Sequence, residues 1–222
     1  LNVYSAYAVE WNGSNDLKLR SITFHLQEFI MNVSQADQND VKVRSFAAAT
    51  QVDRVPPEDA LAIFDALEPV ETNFMIGAWK GEGFETGHTM DGMLERCHWH
   101  GKRFESLEHV HPLVFRKVSG TLTSVRPLLV MPGMGLLEKM PFLKSRFVGK
   151  LFQWTLPLLS GRKSAARLRM TTYRGKPSAT MIYDNLPIND VFRKVDDNTV
   201  LGIMDLKGTK EPFFFVLRRD NA

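Results

Sequence analysis

The sequence predicts a mainly β protein, an antiparallel β-barrel of about eight to ten strands with one short helix ahead of it and one helical insertion. Three observations carry that reading. Nine short apolar-rich runs follow one another from Phe74 onward, each bounded by Gly, Pro, Asn or Asp. The breaks at Ser119-Gly120, Arg174-Gly175-Lys176-Pro177 and Asp196-Asp197-Asn198 hold residues that close hairpins through positive φ or Asx hydrogen bonding. One stretch, around Leu143 to Leu158, instead repeats its apolar residues at steps of three and four.

Bulk properties bound the rest. At 222 residues, 44% hydrophobic and 24% charged, the chain can bury a core without disulfides or structural metal. A mean hydropathy of −0.19, with no apolar run long enough for a bilayer, argues against a transmembrane helix. The single cysteine, Cys97, rules out an internal disulfide and a Cys-rich zinc pattern, and it fits a reducing cytoplasm. The net charge of +3 is mildly basic, and with Lys and Arg spread among 25 acids no nucleic-acid partner is expected.

Taken in order, residues 1–52 mix polar clusters such as "NGSND" with short apolar pieces and are expected to be poorly structured or non-native. Residues 1–30 read as sequence upstream of Met31, the first credible initiator. Residues 53–222 then form one barrel domain. "PPEDALAIFDALEPV" places Pro before an acidic first turn and sets Leu61, Phe64 and Leu67 on one face of a short helix. The strands follow as "FMIGAWKGEGF", "HWHGKRFESL", "PLVFRKV", "TLTSVRPLLVM", "AARLRMTTYR", "SATMIYDNL", "DVFRKV", "TVLGIMDL" and "FFFVLRR".

The insertion, residues 134–160, puts Leu143, Phe147, Leu151, Trp154 and Leu158 on one helical face. Lys139, Lys144, Arg146 and Lys150 accompany it, with Glu138 as the lone acid. Two short helices cut at Pro141 and Pro157 are expected. Their apolar face either packs over one end of the barrel or serves as a lid or peripheral membrane contact, since an interfacial helix needs cations beside large apolar residues.

Chemistry concentrates between Gly77 and Phe115, which hold His88, His98, His100, His109 and His111. In strands, residues two apart share a face, so the pairs His98-x-His100 and His109-x-His111 are candidate ligands for a divalent metal such as zinc, iron or copper. His88 lies in the polar "ETGHTMDG", where nearby carboxylates make a general base conceivable. Cys97 and His98, being adjacent, point to opposite strand faces and make no thiolate dyad. Cys97 reads as a small buried apolar residue. In "MIYDNLPINDVF", alternation sets Met181 and Tyr183 on one face, with the Tyr183 hydroxyl a candidate donor beside Asp184. No nucleophile elbow, P-loop, dinucleotide fingerprint, H-E-x-x-H or EF-hand loop is present.

Gly77-Ala78-Trp79-Lys80-Gly81, with "GHTMDGML", "WHGKRF", "VHPLVF" and the long run from Tyr173 to Asp205, resembles the GXWXG protein family joined to the domain of unknown function that usually accompanies it. The resemblance runs from about Asp59 to Arg219 and carries no catalytic residue with it. It implies a lipocalin-like barrel in which Trp79 closes one end and Arg218 or Arg219 packs over the indole.

The expected function is binding of a small hydrophobic molecule, lipid-like or a metabolite. Trp79, Phe104, Phe115, Leu168, Met170, Met181 and Tyr183 would line the pocket. The alternative is a hydrolase or isomerase of a hydrophobic ester or lactone, with His88, His98, His100, Tyr183 and Asp184 as candidate catalytic residues. A metal held by His98, His100, His109 and His111 would be its cofactor. The expected location is cytoplasmic, with membrane association through 134–160.

Overall fold

A computed structural model of the chain describes residues 42–129 and 146–221, without the side chains of 146–148. The expected N-terminal segment before residue 42 and the first part of the insertion, 130–145, lie outside the described residues. The helices are α1 (42–49), α2 (Pro57–Ala66), α3 (Thr72–Met75), α4 (Met93–Arg96), α5 (described over 127–129) and α6 (Arg146–Leu159). The strands are β1 (Glu68–Pro69), β2 (Gly77–Gly83), β3 (Trp99–Phe104), β4 (Val110–Arg116), β5 (Leu122–Ser124), β6 (Ala166–Tyr173), β7 (Lys176–Tyr183), β8 (Ile188–Asp196), β9 (Thr199–Leu206) and β10 (Phe213–Arg219).

The sheet is antiparallel and closes on itself. Strands run in the order β8-β7-β6-β4-β3-β2-β10-β9, and β9 pairs back to β8 from Ile188↔Leu206 to Asp196↔Thr199, which completes an eight-stranded ring. The short β1 extends from β8, and β5 from β4. Closure removes the free edges that an open sheet would offer to other chains.

Two cores explain the long apolar runs of the C-terminal strands. On β10, Phe213, Phe215 and Leu217 face the barrel interior, while Phe214 and Val216 face outward. The outward side is covered by α1 and α2: Phe46, Phe64 and Leu67 pack with Val191, Leu201, Ile203 and Phe214. Burial on both faces is what makes "FFFVL" continuous rather than alternating. Each such Phe stabilises by roughly 1.5–3 kcal/mol on burial. The expected boundary at residue 52 is therefore too late, since α1 brings Phe46, 4% exposed, onto Phe84 with ring centroids 6.0 Å apart.

The ring is thinnest between β4 and β6, which pair only at Val110↔Ala166. Beyond that point β5 occupies the same edge of β4, from Val114↔Ser124 to Arg116↔Leu122, and a bridge from Val125 to Ser160 ties the end of α6 to it. The run "TLTSVRPLLVM" thus gives only a three-residue strand, because the chain turns into α5 at Pro127.

The described helix of the insertion corrects two expectations. Pro157 does not cut it: α6 continues to Leu159, since a proline in the last turn removes few backbone bonds. Its orientation is also the reverse of the packing expected. Leu156 is fully buried and the Phe152 ring lies 4.9 Å from that of Phe115, whereas Leu151, Trp154 and Leu158 are 50%, 78% and 80% exposed. Leu143 falls outside the described residues. No helix among the described residues is long and apolar enough to cross a membrane.

Candidate functional site

The G-x-W-x-G stretch occupies β2 and closes one end of the ring. Trp79 is fully buried and donates its indole N–H to the Met75 carbonyl at 2.7 Å, tying β2 to α3. The resemblance left Arg218 or Arg219 over the indole; it is Arg219, paired opposite Trp79, with its guanidinium 4.2 Å from the ring centroid. Arg219 also donates to the carbonyls of Phe74 (2.7 Å) and Ile76 (3.1 Å), so cation–π attraction and two hydrogen bonds fix the same group. Arg218 turns outward to Glu82. The glycines keep space for these partners. A Cβ on Gly81 would sit 2.1 Å from the Trp99 ring, and one on Gly77 would meet Arg219 Nη1 at 3.3 Å.

Inside the ring the chain buries an ion pair. Alternation along β8 turns Ile188, Asp190 and Phe192 inward. Lys102 arrives by a different route, because the β3–β4 register slips on either side of Gly101. Gly101 has φ 149°, and a Cβ there would lie 1.9 Å from the Trp79 carbonyl oxygen, so β3 crosses β2 this closely only without a side chain. The irregularity lets Trp99, Lys102 and Phe104 all be buried, while Arg103 is exposed.

Lys102 Nζ donates to Asp190 Oδ2 at 2.7 Å and to the Pro112 carbonyl at 3.3 Å, with the two side chains 4% and 1% exposed. The ammonium also lies 4.8 Å from the Phe215 ring centroid and 5.5 Å from that of Trp99. Two buried polar atoms beside it, Asp190 Oδ1 and Trp99 Nε1, have no hydrogen-bond partner among the described residues. Burial raises the Asp190 carboxyl above its ordinary range, against the pull of the Lys102 charge and hydrogen bond. Burial, with the Asp190 charge added, pushes the Tyr183 phenol well above its usual value, so it stays a protonated donor. Such a set can orient a polar group brought against it, or exchange a proton with it.

Of the expected lining residues, Trp79, Phe104, Phe115, Leu168, Met181 and Tyr183 belong to the interior core. Met170 does not: it lies toward the end of β6, 39% exposed. Asp184 lies just past β7 and is exposed.

The histidines do not converge. His98 precedes β3 with φ 59° and is exposed, so it is no strand partner for His100. His100 joins Asp220 (2.8 Å) and Arg116 (3.1 Å). His109 sits in the exposed turn before β4 with its ring on Ser106. His111 is buried, 3.4 Å from Glu105, and burial and then Arg103 hold its pKa below the ordinary value. His88 accepts from the Met90 backbone N–H at 3.1 Å, and its ring centroid is 5.5 Å from that of Phe213. Among the described residues no three His, Cys, Asp or Glu side chains are grouped to hold a metal ion. Cys97 packs against the interior core, where burial pushes its thiol up to about 11.

Sequence patterns alone give Lys102, Asp190 and Trp99 no binding or catalytic role. Asp190 had a usable signal, a lone acid between Ile188 and Phe192 on one face of an apolar strand. Lys102 had none, since simple alternation cannot foresee a register slip.

Two family matches cover the barrel. The GXWXG protein family matches residues 62–120, and the domain of unknown function DUF4334 matches residues 164–219. A solved structure described as the crystal structure of a protein from Thermomonospora curvata is similar, with a TM-score of 0.60 and 31% sequence identity over 83% of this chain and 99% of that one. No curated protein matches. The first match contains β2 to β4 with Trp79 and Lys102, the second β6 to β10 with Asp190 and Arg219, so the two are halves of one ring. With both halves in place and the motif serving as the closure of the barrel, the chain belongs to the GXWXG protein family and carries that family's companion domain DUF4334.

Proposed function

We propose that the barrel binds a small, mostly hydrophobic molecule, lipid-like or a metabolite, with one polar group directed at Lys102 and Asp190. The supporting observation is the buried pair itself. Polar atoms in an apolar interior are nearly always satisfied, yet Asp190 Oδ1 and Trp99 Nε1 have no protein partner among the described residues. A ligand hydroxyl can donate to Asp190 Oδ1 or accept from the Trp99 indole N–H, a ligand carbonyl can only accept from the indole, and Phe104, Phe192 and Phe215 supply the apolar wall. A cytoplasmic setting fits the lone thiol of Cys97.

Native mass spectrometry of freshly purified protein should show a retained small molecule. Titration of delipidated protein with dodecanol or dodecanoate should change the emission of buried Trp99. The double substitution Lys102→Met with Asp190→Leu should weaken that binding while keeping the fold. Bare protein whose emission ignores both probes would sink the reading.

A second reading, an isomerase or hydrolase acting on a hydrophobic ester or lactone in the same pocket, draws support from Asp190. A carboxyl with a raised pKa beside a protonated phenol is suited to general acid–base work. Turnover of a hydrophobic lactone that Asp190→Asn abolishes, with binding retained, would favour it over simple carriage.

A further inference from the structure

The face of α6 turned to solvent is apolar. Among the described side chains of α6, Lys150, Leu151, Trp154, Pro157 and Leu158 are exposed, four of the five apolar, and their spacing places them on one arc of the helix. A helix that only roofs a barrel shows solvent a polar face. Around it are Val118, Leu122, Leu128 and Leu129, so this region holds seven of the ten large apolar side chains exposed among the described residues.

The charge there is equally one-sided. Between Lys117 and Tyr183 the sequence has a dozen lysines and arginines against one acid, Glu138, so the cations spread along the chain are locally unmatched here. Arg126, Lys150, Arg162 and Lys163 are exposed, and none takes part in an ion pair among the described residues.

We infer that the α6 end of the barrel docks on an anionic lipid surface, Leu151, Trp154 and Leu158 entering the headgroup boundary while Arg126, Lys150, Arg162 and Lys163 meet lipid phosphates. Apolar side chains ringed by unpaired cations are what such a surface recognises. A second copy fits badly, because a two-fold contact through this face sets the same cations against each other. The docked face also contains a recess of about 280 Å³ lined by Arg126, Leu128, Lys163, Leu186 and Tyr183, where an interior side chain meets the outside. The docking surface stands independently of whether the barrel carries cargo.

The test is co-sedimentation of the full chain with vesicles of phosphatidylcholine alone and of phosphatidylcholine mixed with phosphatidylglycerol. Binding is expected to the mixed vesicles, weaker by roughly tenfold or more to phosphatidylcholine and reversed in 1 M salt, where the Debye length falls to about 3 Å. The double variant Trp154→Ser with Leu158→Ser should keep its circular dichroism and lose most of the binding, and Arg162→Glu with Lys163→Glu should remove the preference for anionic lipid. Equal binding to both vesicles, no binding to either, or variants that change oligomeric mass instead of partitioning would overturn the inference.

Discussion

At the α3 end of the barrel the principal cation is fully engaged: Arg219 spans the Trp79 ring and two carbonyls, and its own backbone N–H reaches Asn198 at 2.7 Å. At the α6 end Arg126, Arg162 and Lys163 have no carboxylate partner among the described residues, and Trp154 shows most of its surface to water. Both ends combine an indole with guanidinium groups. What differs is whether those groups find each other. A satisfied cluster holds the fold, whereas an unsatisfied one keeps its interaction energy for something outside the chain.

Substitutions should separate the ends by size of effect. Trp79→Ala removes the plug of the α3 end and should cost about 3–5 kcal/mol in urea unfolding. A loss under about 1 kcal/mol would mean that end is not the structural one. Asp190→Ala leaves the buried Lys102 without its counter-charge, with only the Pro112 carbonyl and the aromatic rings beside it, and should cost a similar amount, about 3–5 kcal/mol. Joining Lys102→Met to Asp190→Leu should recover most of that loss, and a double variant as unstable as the single one would show that shape, not charge, sets the cost.

A smaller effect belongs to His111, in the barrel wall. Its folded pKa lies below the ordinary 6.5, so the unfolded chain binds the proton more readily. The stability it contributes is fully present above pH 6.5 and declines as the pH falls through 6.5 towards the depressed folded value. His111→Gln should flatten the curve of stability against pH in that window, and an unchanged slope would assign it to other groups. Smallest of all, Trp154→Ser at the α6 end should shift stability by no more than about 0.5 kcal/mol, as for an exposed side chain. A larger loss would make that end structural too and erase the contrast.

How much of this was legible in the sequence depended on whether local pattern or long-range geometry set each feature. The hairpins were legible because their turn chemistry is local: Arg174 and Gly175 both adopt positive φ between β6 and β7, and Asp196 accepts from the Asn198 N–H at 2.7 Å between β8 and β9. Tyr183 and Met181 were placed inward correctly, since β7 alternates without interruption. The histidine pairs failed because their premise, a regular strand, is broken at His98 and not yet begun at His109. The α6 face failed for another reason. The helix has apolar residues on both sides, Leu156 and Phe152 inward and Leu151 and Trp154 outward, and periodicity ranks faces without saying which one meets the barrel.

The buried pair also bears on how such a chain is put together. Lys102 comes from one family match and Asp190 from the other, as do Trp79 and Arg219, so what sequence comparison separates into two modules is a single ring with its internal charges divided between them. Either half alone would be an open sheet with an unanswered ion on its inner face, an aggregation-prone fragment and not a smaller protein. Closing the ring therefore requires both segments in one chain, and among the described residues no ring strand lies between Ser124 and Ala166.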